Sequence, residues 1–265
     1  MISLQEIIRQ YPQDIRKPEF YDQMVKEYFH HHMLQSLFTG RFAGKIDFLG
    51  GTALRFFYNL TRFSEDLDFD CFDLIKAEFL EMTTKVEKDL QASGIDVFIE
   101  DKKRNVELKA FRRVFVFPEL KYNMGMSQQK EARFFIKIEA EPHNFTYQPE
   151  IKTMNGFGIT CPVRTVPLDI LFSSKIAAAL NRKKDRDFFD VVHLINFARP
   201  NFEYLVSKCR IHNPSELKES LLKAANDKRL NTRTVYDCEH MLFDSKDIQK
   251  IKNFIPYIEN FNFQK

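Results

Sequence analysis

"LGGTALRFFYNLTRFSEDLDFD", residues 49–70, places two glycines ahead of a helix-like run and then sets Asp66, Asp68 and Asp70 at every second position. Neither choice favours stability. Glycine gives up side-chain packing and raises the entropy lost on folding. Carboxylates two apart on a strand point the same way and repel. The preceding "KIDFLGG" (45–51) reads as a short buried strand running into a turn, and "TALRFFYNL" (52–60) as a helix with Thr52 at its N-cap. A strand, a glycine turn and a helix N-terminus form an anion cradle: the first N–H groups are unpaired, and without side chains the backbone can approach a phosphate closely. The next strand, "DLDFDCF", has one apolar and one acidic face. Paired carboxylates need a cation between them, and hard oxygens suit Mg²⁺ or Mn²⁺ bound together with substrate phosphates. The order and distance of the two features point to a nucleoside-triphosphate enzyme. The bland alternative is a plain turn beside a solvated D-x-D strand.

Outward from this stretch, "PEFYDQMVKEYFHHHMLQSLF" (18–38) has helical apolar spacing with Pro18 in its first turn. "FDLIKAEFLEMTTKVEKDLQASG" (72–94) is an amphipathic helix stopped by Gly94. "IDVFIED", "RRVFVFPELKY" and "RFFIKIEAEP" read as strands. "TMNGFGITCPVRTVP" (153–167), with two glycines and two prolines, reads as a connector, and five helical segments follow it. Strands therefore concentrate in the middle and helices at the end. The expected organisation is a first domain at 1–158 and a helical second domain at 159–265.

The 265 residues carry a net charge of +3, too small to require a nucleic-acid partner by itself. The basic runs 101–113 and 181–186 could still bind RNA backbone, though for the first an ordinary solvated face fits slightly better. Cys71, Cys161, Cys209 and Cys238 form no C-x-x-C pair, and we read them as reduced thiols of a cytoplasmic protein. The N-terminal residues lack an apolar signal core, and no apolar run is long enough to span a bilayer, so secretion and membrane insertion are not expected. His30, His31 and His32 are consecutive on a helix, so they point in different directions and cannot share one metal in the usual way.

The motif "FLGGTALRFFYNLTRFSEDLDF", through Gly50, Gly51, Thr52, Ala53, Leu54, Arg62, Phe63, Ser64, Asp66, Leu67 and Asp68, resembles the signature of the AbiEii-type nucleotidyltransferase toxins, part of the DNA polymerase β-like superfamily. A second landmark, a Lys at the head of a helix followed by an Arg-x-x-x-Arg-Asp run, matches "SKIAAALNRKKDRDFFDVV" through Lys175, Arg182, Arg186, Asp187 and Asp190. The resemblance covers roughly residues 20–200. It implies an α/β (α+β) fold with a polymerase β-like core, a mixed sheet, N-terminal helices and a C-terminal helical part. It also implies metal-dependent transfer of a nucleotide from an NTP by the toxic half of a toxin–antitoxin or phage-defence pair, so a cognate antitoxin is an expected partner. On that basis Gly50, Gly51 and Thr52 would hold the triphosphate and Asp66 and Asp68 the metal. Glu139 would accept the proton of the attacking hydroxyl. Lys175 and Arg186 would reach phosphate, Asp187 would position the basic groups, and Arg62 would pair with the aspartates or the nucleotide. Asp70 lies beyond the matched motif and is expected to be solvated.

Relatives by resemblance include enzymes that modify tRNA 3′ ends, which makes tRNA the expected acceptor and a protein hydroxyl the alternative. Ser64 reads as a local backbone hydrogen-bonder, and family toxins can be modified there; phosphate at that position would repel NTP. Two other classes compete with the enzyme reading. A metal-dependent nuclease would use an acid followed by E-x-K, formally met by Glu107-Leu108-Lys109 and Glu119-Leu120-Lys121, but it has no use for the glycine turn. A non-catalytic module would have kept the fold without the chemistry.

Overall fold

The computed structural model describes residues 2–101, 110–230 and 238–263. Its strands are β1 (Ile46–Leu49), β2 (Leu67–Cys71), β3 (Phe98–Glu100), β4 (Phe111–Val116), β5 (Phe135–Glu141), β6 (Glu150–Gly156) and β7 (Ile159–Thr165). Its helices are α1 (Leu4–Arg9), α2 (Tyr21–Phe38), α3 (Gly50–Phe57), α4 (Lys76–Ala92), α5 (Leu120–Asn123), α6 (Leu168–Asn181), α7 (Asp185–Leu194), α8 (Phe202–Cys209), α9 (Pro214–Lys228), α10 (Ile248–Lys252) and α11 (Phe254–Asn260). The chain divides into two compact units. The first holds Met1–Asn59, Phe63–Asn144 and Pro149–Val166; the second holds Leu60–Arg62, Phe145–Gln148 and Pro167–Lys265.

The first unit is a mixed sheet in the order β3-β4-β5-β2-β1-β7-β6. β2 runs parallel to β5 and β1 parallel to β7, and the other neighbours are antiparallel. Period-2 alternation gives the sheet one apolar face: Phe48, Leu67, Phe69, Phe115, Ile136, Ile138 and Ala140 are all buried. α2 supplies a matching surface with Met24, Val25, Phe29, Met33, Leu34 and Leu37, also buried. Phe29 meets Phe117 and Phe134 with ring centroids 4.4 and 6.0 Å apart. The opposite face carries the acids and their counter-charges.

The segment 153–167, expected as a connector, is instead the β6–β7 hairpin. Gly156 pairs with Ile159, leaving Phe157 (φ +52°) and Gly158 (φ +77°) as a two-residue turn with both φ positive. That geometry matches the twist of the flanking strands. Pro162 is tolerated because β1 meets β7 at Phe48–Thr165, a register that places Pro162 before the first residue of β1. Residues 159–166 thus belong to the sheet unit, and the division falls between Val166 and Pro167. The 72–94 helix is shorter than expected, at Lys76–Ala92, with Gly94 at φ +76° beyond its end.

The second unit is helical apart from its short excursions. α6 packs against α7, α8 and α9, α10 against α7, and α11 against α9. Leu171, Phe172, Ile176, Phe188, Val191, Leu217, Leu221 and Phe254 form its buried interior. Among the described residues, no helix is long and apolar enough to cross a membrane.

Candidate active site

β1 ends at Leu49 in an extended conformation, and the chain turns at Gly50, whose φ is +84°. Only glycine adopts that conformation without strain. α3 therefore begins at Gly50, two residues earlier than the sequence suggests, and Thr52 is not its N-cap. Thr52 lies in the first helical turn, where its Oγ1 donates to the Asp66 carbonyl at 2.6 Å. The hydroxyl thus ties the glycine turn to the chain entering β2. A side chain at Gly50 is excluded for a second reason: a Cβ there would lie 2.6 Å from Asp68 Oδ2 and 3.1 Å from Asp68 Cβ. The anion cradle and the acid strand are therefore in contact.

Asp68 sits in β2 opposite Leu49 on one side and Glu139 on the other. Residues opposite each other in register share a face, so Asp68 and Glu139 stand side by side. Each acid next to Asp68 has a cation. Lys137 Nζ lies 2.5 Å from Asp66 Oδ2, and Arg112 Nε donates to Glu139 Oε2 at 2.6 Å. Arg112, the register partner of Glu139 on β4, is not singled out by the sequence; its place in a basic run hides a residue whose parity aims it at the acids. Among the described residues, no three Asp, Glu, His or Cys side chains converge on one point. The donor set nonetheless suits a hard divalent cation: Asp66, Asp68 and Glu139 offer only oxygens, half-exposed and flanking a backbone cradle that a Cβ would fill.

Asp70 is not solvated. It is fully buried and accepts the His143 backbone N–H at 2.8 Å, which fixes the end of β5. Ser64 is half-buried ahead of the acids. Glu65 is anchored to α2: Gln23 Nε2 and Lys26 Nζ donate to its Oε1 at 3.2 and 2.6 Å, and His30 Nε2 meets its carbonyl at 3.2 Å. Burial holds the His30 imidazole neutral, with its pKa lowered to about 3. His31 and His32 are lowered in the same direction by the same cause.

The second unit holds the remaining residues of interest. Lys175 lies in the middle of α6 rather than at its head, since Pro167 and Leu168 start that helix. Its ammonium lies 2.9 Å from Asp190 Oδ2, and the pair is buried. Arg62 reaches the same carboxylate bidentately, Nε to Oδ1 at 2.8 Å and Nη2 to Oδ2 at 2.7 Å. Burial disfavours ionisation of Asp190, but Arg62 and Lys175 outweigh it and hold the carboxyl at about 2. Burial likewise opposes charge on Arg62, and Asp190 overcomes it and raises the guanidinium further. Arg62 is therefore a structural clamp on α7, with no exposed face to offer a nucleotide. Arg182 and Arg186 do not share a helix. Lys183 turns at φ +51°, so Arg182 caps α6 and Arg186 lies in α7. Across that turn, Arg182 holds the buried Asp187 with two hydrogen bonds of 2.9 and 2.7 Å.

The run 101–113 and Glu107-Leu108-Lys109 fall mostly or wholly outside the described residues. Glu119 (φ +50°) and Leu120–Asn123 form a helical turn, so Glu119-Leu120-Lys121 is not the strand a nuclease motif requires.

Comparison with known proteins bears on the family and the fold. The family model described as "Nucleotidyl transferase AbiEii toxin, Type IV TA system" matches residues 32–256. No curated protein matches the sequence significantly. Among solved structures, MenT4, a nucleotidyltransferase toxin from Mycobacterium tuberculosis, is similar with a TM-score of 0.59 at 15% identity, covering 99% of this chain and 91% of that one. The JHP933 protein from Helicobacter pylori is similar with a TM-score of 0.51 at 17% identity, covering 89% of this chain and 91% of that one. At these identities the structural likeness speaks to the fold.

Proposed function

The chain belongs to the AbiEii family of nucleotidyltransferase toxins of type IV toxin–antitoxin systems, and from that membership we propose that it transfers a nucleotide from an NTP to a tRNA 3′ end, blocking translation. Membership implies an NTP substrate and an antitoxin partner. The reading of tRNA as acceptor rests on the family resemblance; that of a triphosphate held beside Mg²⁺ or Mn²⁺ rests on one observation above all, the Gly50 backbone packed against Asp68 with no room for a side chain.

In this reading the first N–H groups of α3 bind triphosphate oxygens, and Gly50 and Gly51 let them approach. Thr52 holds the cradle to the acid strand. Asp66 and Asp68 would hold a divalent cation, whose bound form neutralises charge on the transferring phosphoryl group. Lys137 then leaves Asp66 for a phosphate oxygen. Glu139, beside Asp68, takes the proton of the attacking hydroxyl, while Arg112 keeps its carboxylate oriented. The resemblance assigns Lys175 and Arg186 to phosphate contacts. The geometry supports Asp187 as a positioning residue, since it carries Arg182.

The test is incubation with Mg²⁺, each α-labelled NTP in turn and total tRNA, with Asp66→Ala/Asp68→Ala as control. Label on tRNA from one NTP, absent in the control, supports the proposal. Label on protein instead would assign a protein hydroxyl as acceptor and overturn the tRNA reading. Shortened tRNA without NTP would overturn transfer altogether.

A further inference from the structure

The acid face of the sheet continues beyond the acids. Register sets its side chains in rows across the strands. One row runs Arg112, Glu139, Asp68, Leu49. The next runs Glu100, Val114, Lys137, with Lys137 reaching on to Asp66. The third, one pleat repeat further along β5, runs Phe98, Val116, Phe135. Phe98 and Phe135 are each 47% exposed, against a core in which phenylalanines such as Phe115 and Phe117 are buried on the other face. A lone exposed apolar residue needs no explanation. Two phenylalanines on one row, in line with the catalytic acids, form a built surface.

Cations accompany these rings. Lys26 Nζ lies 5.7 Å from the Phe135 ring centre. The β4–β5 connection, which leaves from this end of the pair, adds Tyr122, 43% exposed, with Lys130 Nζ 5.3 Å from its ring. Exposed Arg133 lies two residues before Phe135. Exposed aromatic rings with ammonium groups over them suit a ligand that is itself aromatic and regularly anionic.

We infer that the Phe98–Val116–Phe135 row is a base-stacking platform that seats the single-stranded end of an RNA acceptor, its terminal hydroxyl directed along β5 towards Glu139 and Asp68. The inference rests on the proposal that the acceptor is RNA. Phe135 precedes Glu139 by four residues, about 13 Å along the strand, roughly two nucleotides. Phe98 and Phe135 are two strands apart, about 10 Å, which exceeds the spacing of stacked bases. A duplex cannot open its bases to that distance, whereas a single strand can splay them onto separate rings. Stacking is tolerant of base identity, so the platform selects a free single-stranded end rather than a sequence.

The test measures binding of a fluorescein-labelled single-stranded RNA hexamer to the full chain by anisotropy, alongside labelled-NTP transfer to tRNA. Phe98→Ala and Phe135→Ala are each expected to weaken hexamer binding by about 5- to 100-fold and to raise the KM for tRNA. The melting shift produced by Mg²⁺ with NTP should stay unchanged. Phe135→Trp should restore binding and Phe135→Leu should not. Phe197→Ala, equally exposed at 50%, is the control. Unchanged hexamer affinity in both alanine variants overturns the platform even if wild-type transfer to tRNA is robust. Loss of the NTP-induced shift in Phe135→Ala overturns it too, by assigning that ring to the donor base. Phenylalanine-dependent hexamer binding without transfer to tRNA would uphold the platform and refute the proposed tRNA acceptor.

Discussion

Gly50→Ala separates backbone strain from active-site displacement. At φ +84° an alanine is strained by about 1–2 kcal/mol, which for a chain of this length lowers the melting temperature by about 2–8 °C. The new Cβ would also stand 2.6 Å from Asp68 Oδ2, so the carboxylate must retreat by about 0.8 Å to regain ordinary contact at 3.4 Å. A displacement approaching 1 Å in a positioned catalytic group costs about a hundredfold in rate. Gly158→Ala is the matched control: its φ is +77°, but nothing lies within 4 Å of the added atom. The assay is the initial rate of label transfer from α-labelled NTP, measured well below both melting temperatures. We expect comparable melting shifts in the two variants and a loss of about a hundredfold in Gly50→Ala alone. If Gly50→Ala transfers within threefold of wild type, or Gly158→Ala falls as far, the contact between cradle and acid does not govern catalysis.

Three further outcomes are expected. Asp190→Ala removes the carboxylate that Arg62 and Lys175 share in a buried setting, and should lower stability by about 3–5 kcal/mol in urea titration. Protein stability should fall as the medium is acidified from neutral. His30 protonates near 6.5 when unfolded but stays neutral in the fold down to about 3, so the unfolded state takes up the proton and about 2 kcal/mol is lost by pH 5; His30→Asn should flatten that slope in denaturant midpoints measured at pH 7 and 5. Thr52→Val deletes the 2.6 Å hydrogen bond to the Asp66 carbonyl, and should lower stability by about 1 kcal/mol in the same titration.

The sequence announces this site because its parts are local. Gly50-Gly51 and Asp66-x-Asp68 fall within twenty residues, and each follows a period that can be read from one segment. Hydrophobic spacing likewise marks α2 and the helices after residue 167. What remained hidden depends on register between distant segments. Arg112 and Lys137 gain meaning only once β4 and β5 align with β2. The β6–β7 hairpin looked like a linker because its glycines and prolines break both periods, and the turn at Phe157 requires a positive φ at a residue that rarely adopts one. Lys175 reads as a helix head only through the family landmark; the helical segment after residue 167 already begins seven residues before it, at Leu168. Asp70 looked solvated because its partner, the His143 amide, lies 73 residues away.

Arg62 and Asp190 are separated by 128 residues of chain. A ribosome adding about 5–20 residues per second takes roughly 6–25 s to make the second after the first. During that interval the guanidinium destined for burial has yet to meet the Asp190 carboxylate. The buried ion pair therefore forms late in synthesis: a truncated product that stops before α7 carries the whole signature motif yet lacks the residue that clamps Arg62. Premature termination before α7 leaves the Arg62 guanidinium without the carboxylate that clamps it in the finished fold.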